Sequence, residues 1–255
     1  MPMRRVLVAI PVYNEEKYIN RVMGRVLEQN PSVLVIDDGS TDSTPCMLPS
    51  FPVEVIRHST NRGYGRSLQD AFRWAAVDGY DWVVTMDCDE QHEPEAIPTF
   101  LERIERDDCD VISGSRYLDP VAADDAPPPN RAAINKKITA ELNDRLGPSG
   151  LHITDAFCGF KAYRVDAVRD MTFDEDGYAF PMQFWVQSIA KGHRICEIPV
   201  KLIYNDPDRT FGGPLNDDSI RYNHYRSVLH RELRRYEGSL PSNALQDLVS
   251  EACCP

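Results

Sequence analysis

Short apolar runs alternate with amphipathic helical stripes through the first half of the chain, and no other feature restricts its fold as much. Runs at 6–10, 33–36, 53–56, 82–86 and 111–113 have the length and β-branched content of strands. Between them Ile19, Val22, Met23, Val26 and Leu27 fall at i, i+3, i+4, i+7 and i+8. Leu68, Ala71, Phe72, Ala75 and Ala76 repeat that spacing, and Ile97, Phe100, Leu101 and Ile104 follow it again. Each stripe packs one helix on a sheet. Strand, helix, strand in alternation predicts an α/β fold with a mostly parallel central sheet flanked by helices. These apolar residues are core and carry no chemistry.

The ends of the strands carry the chemistry. The first runs into Pro11-Val12-Tyr13-Asn14-Glu15-Glu16, the second into Asp37-Asp38-Gly39-Ser40-Thr41-Asp42. The third leads to Asn61-Arg62-Gly63-Tyr64-Gly65-Arg66, the fourth to Asp87-Cys88-Asp89-Glu90-Gln91, the fifth to Gly114-Ser115-Arg116-Tyr117. Open α/β sheets bind ligands beyond the carboxyl ends of their strands, so five polar loops on one edge predict a site. Strand alternation points Asp87, Asp89 and Gln91 one way and Cys88 the other. Two carboxylates and an amide oxygen make a hard-oxygen set suited to Mg²⁺ or Mn²⁺. A solvated acidic turn is the plain alternative for Asp-x-Asp, as is a capped turn for Asp37-Asp38-Gly39-Ser40.

The second half is less regular. Residues 118–130 hold prolines and aspartates without periodicity and predict a loop or insertion. Ile134, Ile138, Leu142 and Leu146 form a helical stripe that Gly147-Pro148-Ser149-Gly150 ends. The stretch 154–164 reads as part loop and part strand, 180–191 as helix, 194–204 as strand and 219–236 as a last helix. Residues 237–255 carry weak signals and predict a frayed tail.

Charge and cysteine usage exclude some classes. The net charge of -12 argues against nucleic acid as a partner, which needs a basic footprint. The seven cysteines, Cys46, Cys88, Cys109, Cys158, Cys196, Cys253 and Cys254, include no Cys-x-x-Cys pair, so no zinc site is expected. No apolar run approaches the roughly 18 residues of a membrane helix. Free thiols and the lack of a secretory pattern predict a cytoplasmic protein.

Taken in order, these loops, together with Asp155-x-x-x-Gly159-Phe160-x-Ala162-Tyr163-Arg164, resemble family 2 glycosyltransferases of the GT-A fold. The resemblance covers about residues 4–204 and is strongest to the dolichyl-phosphate mannosyltransferase and polyprenyl-phosphate glycosyltransferase branch. It implies a Rossmann-like GT-A sheet with a C-terminal helical extension. It further implies one domain over 1–236, with a nucleotide-binding half to about 117 and an acceptor half over 118–236.

The resemblance also implies roles. A nucleoside-diphosphate sugar, GDP- or UDP-linked, would be the donor. Pro11, Val12, Tyr13, Asn14 and Glu15 would hold its nucleoside, and Asp37 or Asp38 would read the base. Asn61, Gly65, Arg66, Asp87 and Cys88 complete the implied nucleotide contacts. Asp87, Asp89 and Gln91 would hold Mg²⁺ or Mn²⁺ on the diphosphate. Arg116 and Arg131 match arginines near the phosphates, work that suits the bidentate guanidinium. Asp155 would act as general base or position the acceptor; capping backbone groups of Cys158 or Gly159 is its alternative. The acceptor would be a lipid phosphate, or otherwise a saccharide or protein, in cell-envelope polysaccharide synthesis. Arg221, Arg226, Arg231, Arg234 and Arg235 on the last helix, with His224 and His230, suggest peripheral contact with the inner face of a membrane; a helix packed by its apolar residues, with its arginines solvated or paired with the acidic body, is the alternative. A nucleotidyltransferase expects a glycine-rich loop after the first strand, which Pro11-Val12-Tyr13-Asn14 is not. A dinucleotide-binding dehydrogenase expects a third glycine where Gly63-Tyr64-Gly65-Arg66-Ser67-Leu68 has none. A non-catalytic nucleotide-sugar-binding module is the alternative from another class.

Overall fold

Val8, Ile10 and Val12 bury on one side of a sheet while Leu7 and Ala9 bury on the other. A strand covered on both faces reads as an unbroken apolar run, which is why the sequence signal lacked alternation. The computed structural model describes residues 4–119, 127–203 and 210–248. Within them the strands are β1 (Val6–Val12), β2 (Val33–Asp37), β3 (Glu54–Arg57), β4 (Trp82–Thr85), β5 (Val111–Ser115), β6 (Lys161–Arg164) and β7 (Ile195–Pro199). They form a seven-stranded sheet in the order β3-β2-β1-β4-β6-β5-β7. The pairs β1–β2, β2–β3, β1–β4 and β5–β7 are parallel. Only β6 runs against its neighbours, pairing antiparallel to β4 and β5.

Two helical layers cover the sheet. On one face lie α1 (Ile19–Gln29) and α4 (Ile97–Glu105), which contribute Val22, Met23, Val26, Phe100 and Ile104 to one core. On the other lie α3 (Tyr64–Val77), α5 (Pro129–Leu146), α7 (Phe180–Ala190) and α8 (Asp218–Arg235). Two short helices, α2 (Thr44–Met47) and α6 (Val165–Arg169), had no periodic signal, because one turn is too short to show one. The stripe starting at Ile134 belongs to a helix that begins five residues earlier, at Pro129, where proline suits the first turn. Helix α7 is buried on nearly all sides, between the sheet core and α8. The expected strand at 194–204 ends at Pro199, and residue 204 lies outside the described residues. So do 120–126 of the 118–130 loop and 249–255 of the tail; the tail's described part forms short 3₁₀ turns.

Among the described residues no helix is long and apolar enough to cross a membrane. The basic residues of α8 turn toward the protein's own acids. Arg226 and His230 contact Glu141 on α5 at 2.8 and 2.6 Å. Arg231 and Arg235 each lie 3.2 Å from Asp174. Arg221 is buried and donates to the Leu215 carbonyl and to Asp218. The expectation that this helix presents a basic face to lipid therefore meets an ion-pairing reason for the same residues.

Candidate active site

The carboxyl ends of β1, β2, β4 and β5 open onto one cavity of about 810 Å³. Its first wall follows β1. Asn14 adopts a left-handed backbone (φ 58°), which asparagine tolerates better than most residues. Its amide donates to Ser40 Oγ at 2.9 Å and its Oδ1 accepts from Thr41 N at 2.8 Å. Glu15 N donates to Thr44 Oγ1 at 2.9 Å. These bonds bind the loop after β1 to the loop after β2, and leave Pro11, Val12, Tyr13, Asn14 and Glu15 along the cavity.

The two aspartates ending β2 part company. Asp38 borders the cavity, whereas Asp37 does not. Asp37 is fully buried, accepts Ser40 N at 2.8 Å and pairs with Arg57 at 3.1 Å. Asp37 thus helps to fold the loop, and of the pair expected to read a base Asp38 is the one at the cavity wall. Asp38 accepts from Arg62 N and Gly63 N, both at 2.8 Å, and from His58 Nδ1 at 2.6 Å. This brings Asn61 to the cavity. Gly65 and Arg66, expected as nucleotide contacts, lie outside the cavity wall. Gly65 packs so tightly that a Cβ would sit 2.4 Å from the Glu175 carbonyl, and Arg66 pairs with Asp70 at 2.9 Å.

After β4, Asp87, Asp89 and Gln91 all border the cavity, while the Cys88 side chain sinks into the α1/α4 core. Cys88 is itself among the residues that line the cavity. A left-handed Glu90 (φ 59°) turns the loop, and Gln91 N donates to Asp89 Oδ1 at 3.0 Å. The donor set is all oxygen, and the buried Gln91 Nε2 has no hydrogen-bond partner among the described residues. Such donors fit a hard divalent cation that keeps positions for phosphate oxygens and water. Among the described residues no group of three His, Cys, Asp or Glu side chains is arranged for a metal.

The fifth strand end leads to Asp155, which the resemblance implies as base or acceptor-positioning residue. Asp155 is fully buried and does not border the cavity. Its Oδ2 accepts from Arg116 Nε at 2.6 Å. Its Oδ1 accepts from Arg116 Nη2 at 2.9 Å, Asn135 Nδ2 at 2.8 Å and Phe157 N at 3.2 Å. The turn it caps is thus at Phe157, not at Cys158 or Gly159. Burial opposes ionisation, but the Arg116 charge and the hydrogen bonds from Arg116 and Asn135 outweigh it. They hold the carboxyl well below the usual carboxylate range. A carboxylate so engaged is a poor proton acceptor. It holds Arg116, a residue that borders the cavity. Glu197 on β7 secures the same loop, accepting from Thr154 N at 2.9 Å and Asp155 N at 3.3 Å.

Arg131 borders the cavity as expected. Its guanidinium lies 4.8 Å from the Phe211 ring, and that of Arg221 lies 4.5 Å from the same ring. Arg221, with Tyr64, Phe157, Tyr178 and Tyr225, is a wall residue that sequence reasoning did not assign to the site. Arg221 had a signal as one of many helix arginines, but nothing in its spacing separated it from the solvent-facing ones. The aromatics are scattered through loops and helices without a shared motif.

Comparison with known proteins agrees with this geometry. The family described as glycosyl transferase family 2 matches residues 7–172. The undecaprenyl-phosphate mannosyltransferase of Micrococcus luteus is 33% identical over 215 residues, spanning 78% of this chain and 84% of that one. The polyprenol monophosphomannose synthase of Mycolicibacterium smegmatis is 30% identical over 210 residues, spanning 78% and 77%. Among solved structures, the glucosyl-3-phosphoglycerate synthase of Mycobacterium tuberculosis, in complex with Mn²⁺, UDP and glucosyl-3-phosphoglycerate, superposes with a TM-score of 0.69. It shares 17% identity and covers 94% of this chain and 81% of that one, a likeness of fold. Strand-end loops that converge on one cavity, a family match over most of the chain and relatives aligned across most of their own lengths lead to one assignment: the chain is a glycosyltransferase and belongs to glycosyltransferase family 2.

Proposed function

We propose that the protein moves a sugar from a nucleoside-diphosphate sugar to a polyprenyl phosphate, with a divalent metal on the donor and inversion at the sugar carbon. The observation that carries the acceptor is the engagement of Asp155. The residue expected as base is bound on both oxygens and held ionised behind Arg116. A hydroxyl nucleophile needs a base, whereas a phosphate monoester, with a second pKa near 6 like phosphorylated side chains, is already largely anionic at neutral pH. Three cavity arginines, Arg116, Arg131 and Arg221, suit such an anion. The relatives named for undecaprenyl phosphate and polyprenol support the same acceptor class.

In this reading residues before about 118, Arg116 excepted, bind the donor and those after it bind the acceptor. Tyr13 and Asp38 receive the nucleoside, and Asp87, Asp89 and Gln91 the metal-bound diphosphate. A bound metal supplies neutralisation of charge on the departing diphosphate. Structures that share the fold contain Mn²⁺ or Mg²⁺. The acceptor oxygen attacks the anomeric carbon opposite the diphosphate. The carbon–oxygen bond to the diphosphate breaks, its electron pair leaves with the nucleotide, and no proton need move. A single displacement of this kind inverts configuration. Exposed Leu118 and Ile220 adjoin the cavity residues Tyr117 and Arg221, which supports peripheral approach to a lipid surface.

The test is transfer from radiolabelled GDP- and UDP-sugars to polyprenyl phosphates, free polyprenols and soluble saccharides, with Mn²⁺, Mg²⁺ or chelator. Metal-dependent label on polyprenyl phosphate alone is expected. Label on free alcohols or saccharides with none on the phosphate overturns the acceptor, and activity indifferent to chelation overturns the metal.

A further inference from the structure

Gly159 lies at the cavity wall between two groups from distant parts of the chain. A Cβ built on it would stand 2.8 Å from Asp87 Oδ2, 3.1 Å from Asp87 Oδ1 and 2.8 Å from the Tyr64 hydroxyl oxygen. Glycine leaves that space free, and the Tyr64 hydroxyl and the Asp87 carboxylate face each other across it. Tyr64 is the first residue of α3, and the residue before it, Gly63, is tied through its amide to Asp38. Its ring is held in place by stacking on Tyr178, with centroids 6.1 Å apart and planes 17° apart. The wall that holds Asp38 is thus joined covalently, through Gly63, to the group that touches Asp87.

We infer that Tyr64 is a positioning residue for donor binding, fixing the orientation of Asp87 within a gap that glycine at 159 leaves open. A carboxylate with one short side chain and an open cavity beside it has several rotamers. His92 Nδ1 lies 3.8 Å from Asp87 Oδ2, and a neutral hydroxyl from Tyr64 would restrict the carboxylate further without removing its charge. The inference rests on the reading of Asp87 as a donor-site residue and adds the group that orients it. Tyr64 touches neither sugar nor diphosphate in this account and acts only through Asp87.

The experiment is calorimetric titration of GDP and of UDP, each with Mn²⁺, into the native chain, Tyr64→Phe, Asp87→Asn and the double variant. Phenylalanine keeps the ring and its stacking and removes only the hydroxyl. Loss of a hydrogen bond to a charged group should weaken the nucleotide that binds by about tenfold in Tyr64→Phe. In the Asp87→Asn background the same change should alter affinity by less than about twofold, because the coupling runs through Asp87. Gly159→Ala should weaken binding as well, because its methyl needs the occupied space. Native affinity in Tyr64→Phe while Asp87→Asn binds poorly overturns the inference and leaves the donor site standing. An equal loss in both backgrounds shows that Tyr64 does not act through Asp87 and also overturns it. Native affinity in Asp87→Asn overturns the donor-site reading and the inference together.

Discussion

At the scale of single residues, what decides a role is which atoms remain available after folding. Asp155 has the right type and motif for a base, yet its oxygens accept five hydrogen bonds from Arg116, Asn135 and Phe157. Between roughly pH 5 and 9 it should therefore contribute no limb to the rate profile. Asp155→Asn should lower kcat/KM by about tenfold or more through loss of Arg116 alignment, with the profile unchanged in shape. A limb present in the native enzyme and missing in Asp155→Asn would restore it as the base. The metal carboxylates make the opposite case. Asp89→Ala should abolish the Mn²⁺ dependence of nucleotide binding and leave the fold intact. Nucleotide affinity that still rises with Mn²⁺ as in the native protein would refute that assignment.

At the scale of elements, the junction of α5 and α8 rests on one carboxylate. Glu141 accepts from Arg145 on its own helix and from Arg226 and His230 on the other. Burial opposes its ionisation, but these hydrogen bonds prevail and bring its pKa from 4.5 down to about 2. With the folded value below the unfolded one, the contribution is complete above the ordinary carboxylate value and disappears as pH falls through about 2. Its size is roughly 3 kcal/mol by proton linkage. Glu141→Gln should cost stability of that order at neutral pH and flatten the acid limb of the unfolding curve below about pH 4.5. Denaturant titrations at several pH values check this; an acid limb as steep as in the native chain would count against the clamp. Because α5 also supplies Asn135 to Asp155 and Arg131 to the cavity, this junction stabilises the site as well as the fold.

For the whole molecule, the consequence is coupling between ligand and stability. A nucleotide at 100 times its dissociation constant, with Mn²⁺, should add about 2.7 kcal/mol. In a chain of this length that raises the melting temperature by about 5–10 °C. Comparing GDP with UDP in the same assay identifies the base, and no shift with either would refute nucleotide binding. The net charge of -12 sits with three arginines gathered at one cavity, so the anionic partner is met locally and not by the surface at large.

The sequence by itself determined the architecture and most of the donor wall. Alternating apolar periods depend on local geometry, so β1 to β5 and α1, α3 and α4 were legible to within a few residues. Strand ends in a parallel sheet share an edge, so Pro11 to Glu15, Asp38, Asn61, Asp87, Asp89, Gln91 and Arg116 could be assigned to one site before any contact was known. Only the tertiary structure decided what depends on partners far along the chain. It turned Asp37 inward to Arg57 and withdrew Asp155 behind Arg116, 39 residues away. It also set the α8 arginines against Glu141 and Asp174 and brought Tyr64 and Gly159 together at Asp87. The reason is physical: a motif specifies side-chain type and rough direction, but whether a charged group meets a ligand or a buried counter-charge depends on long-range packing, which no local period encodes.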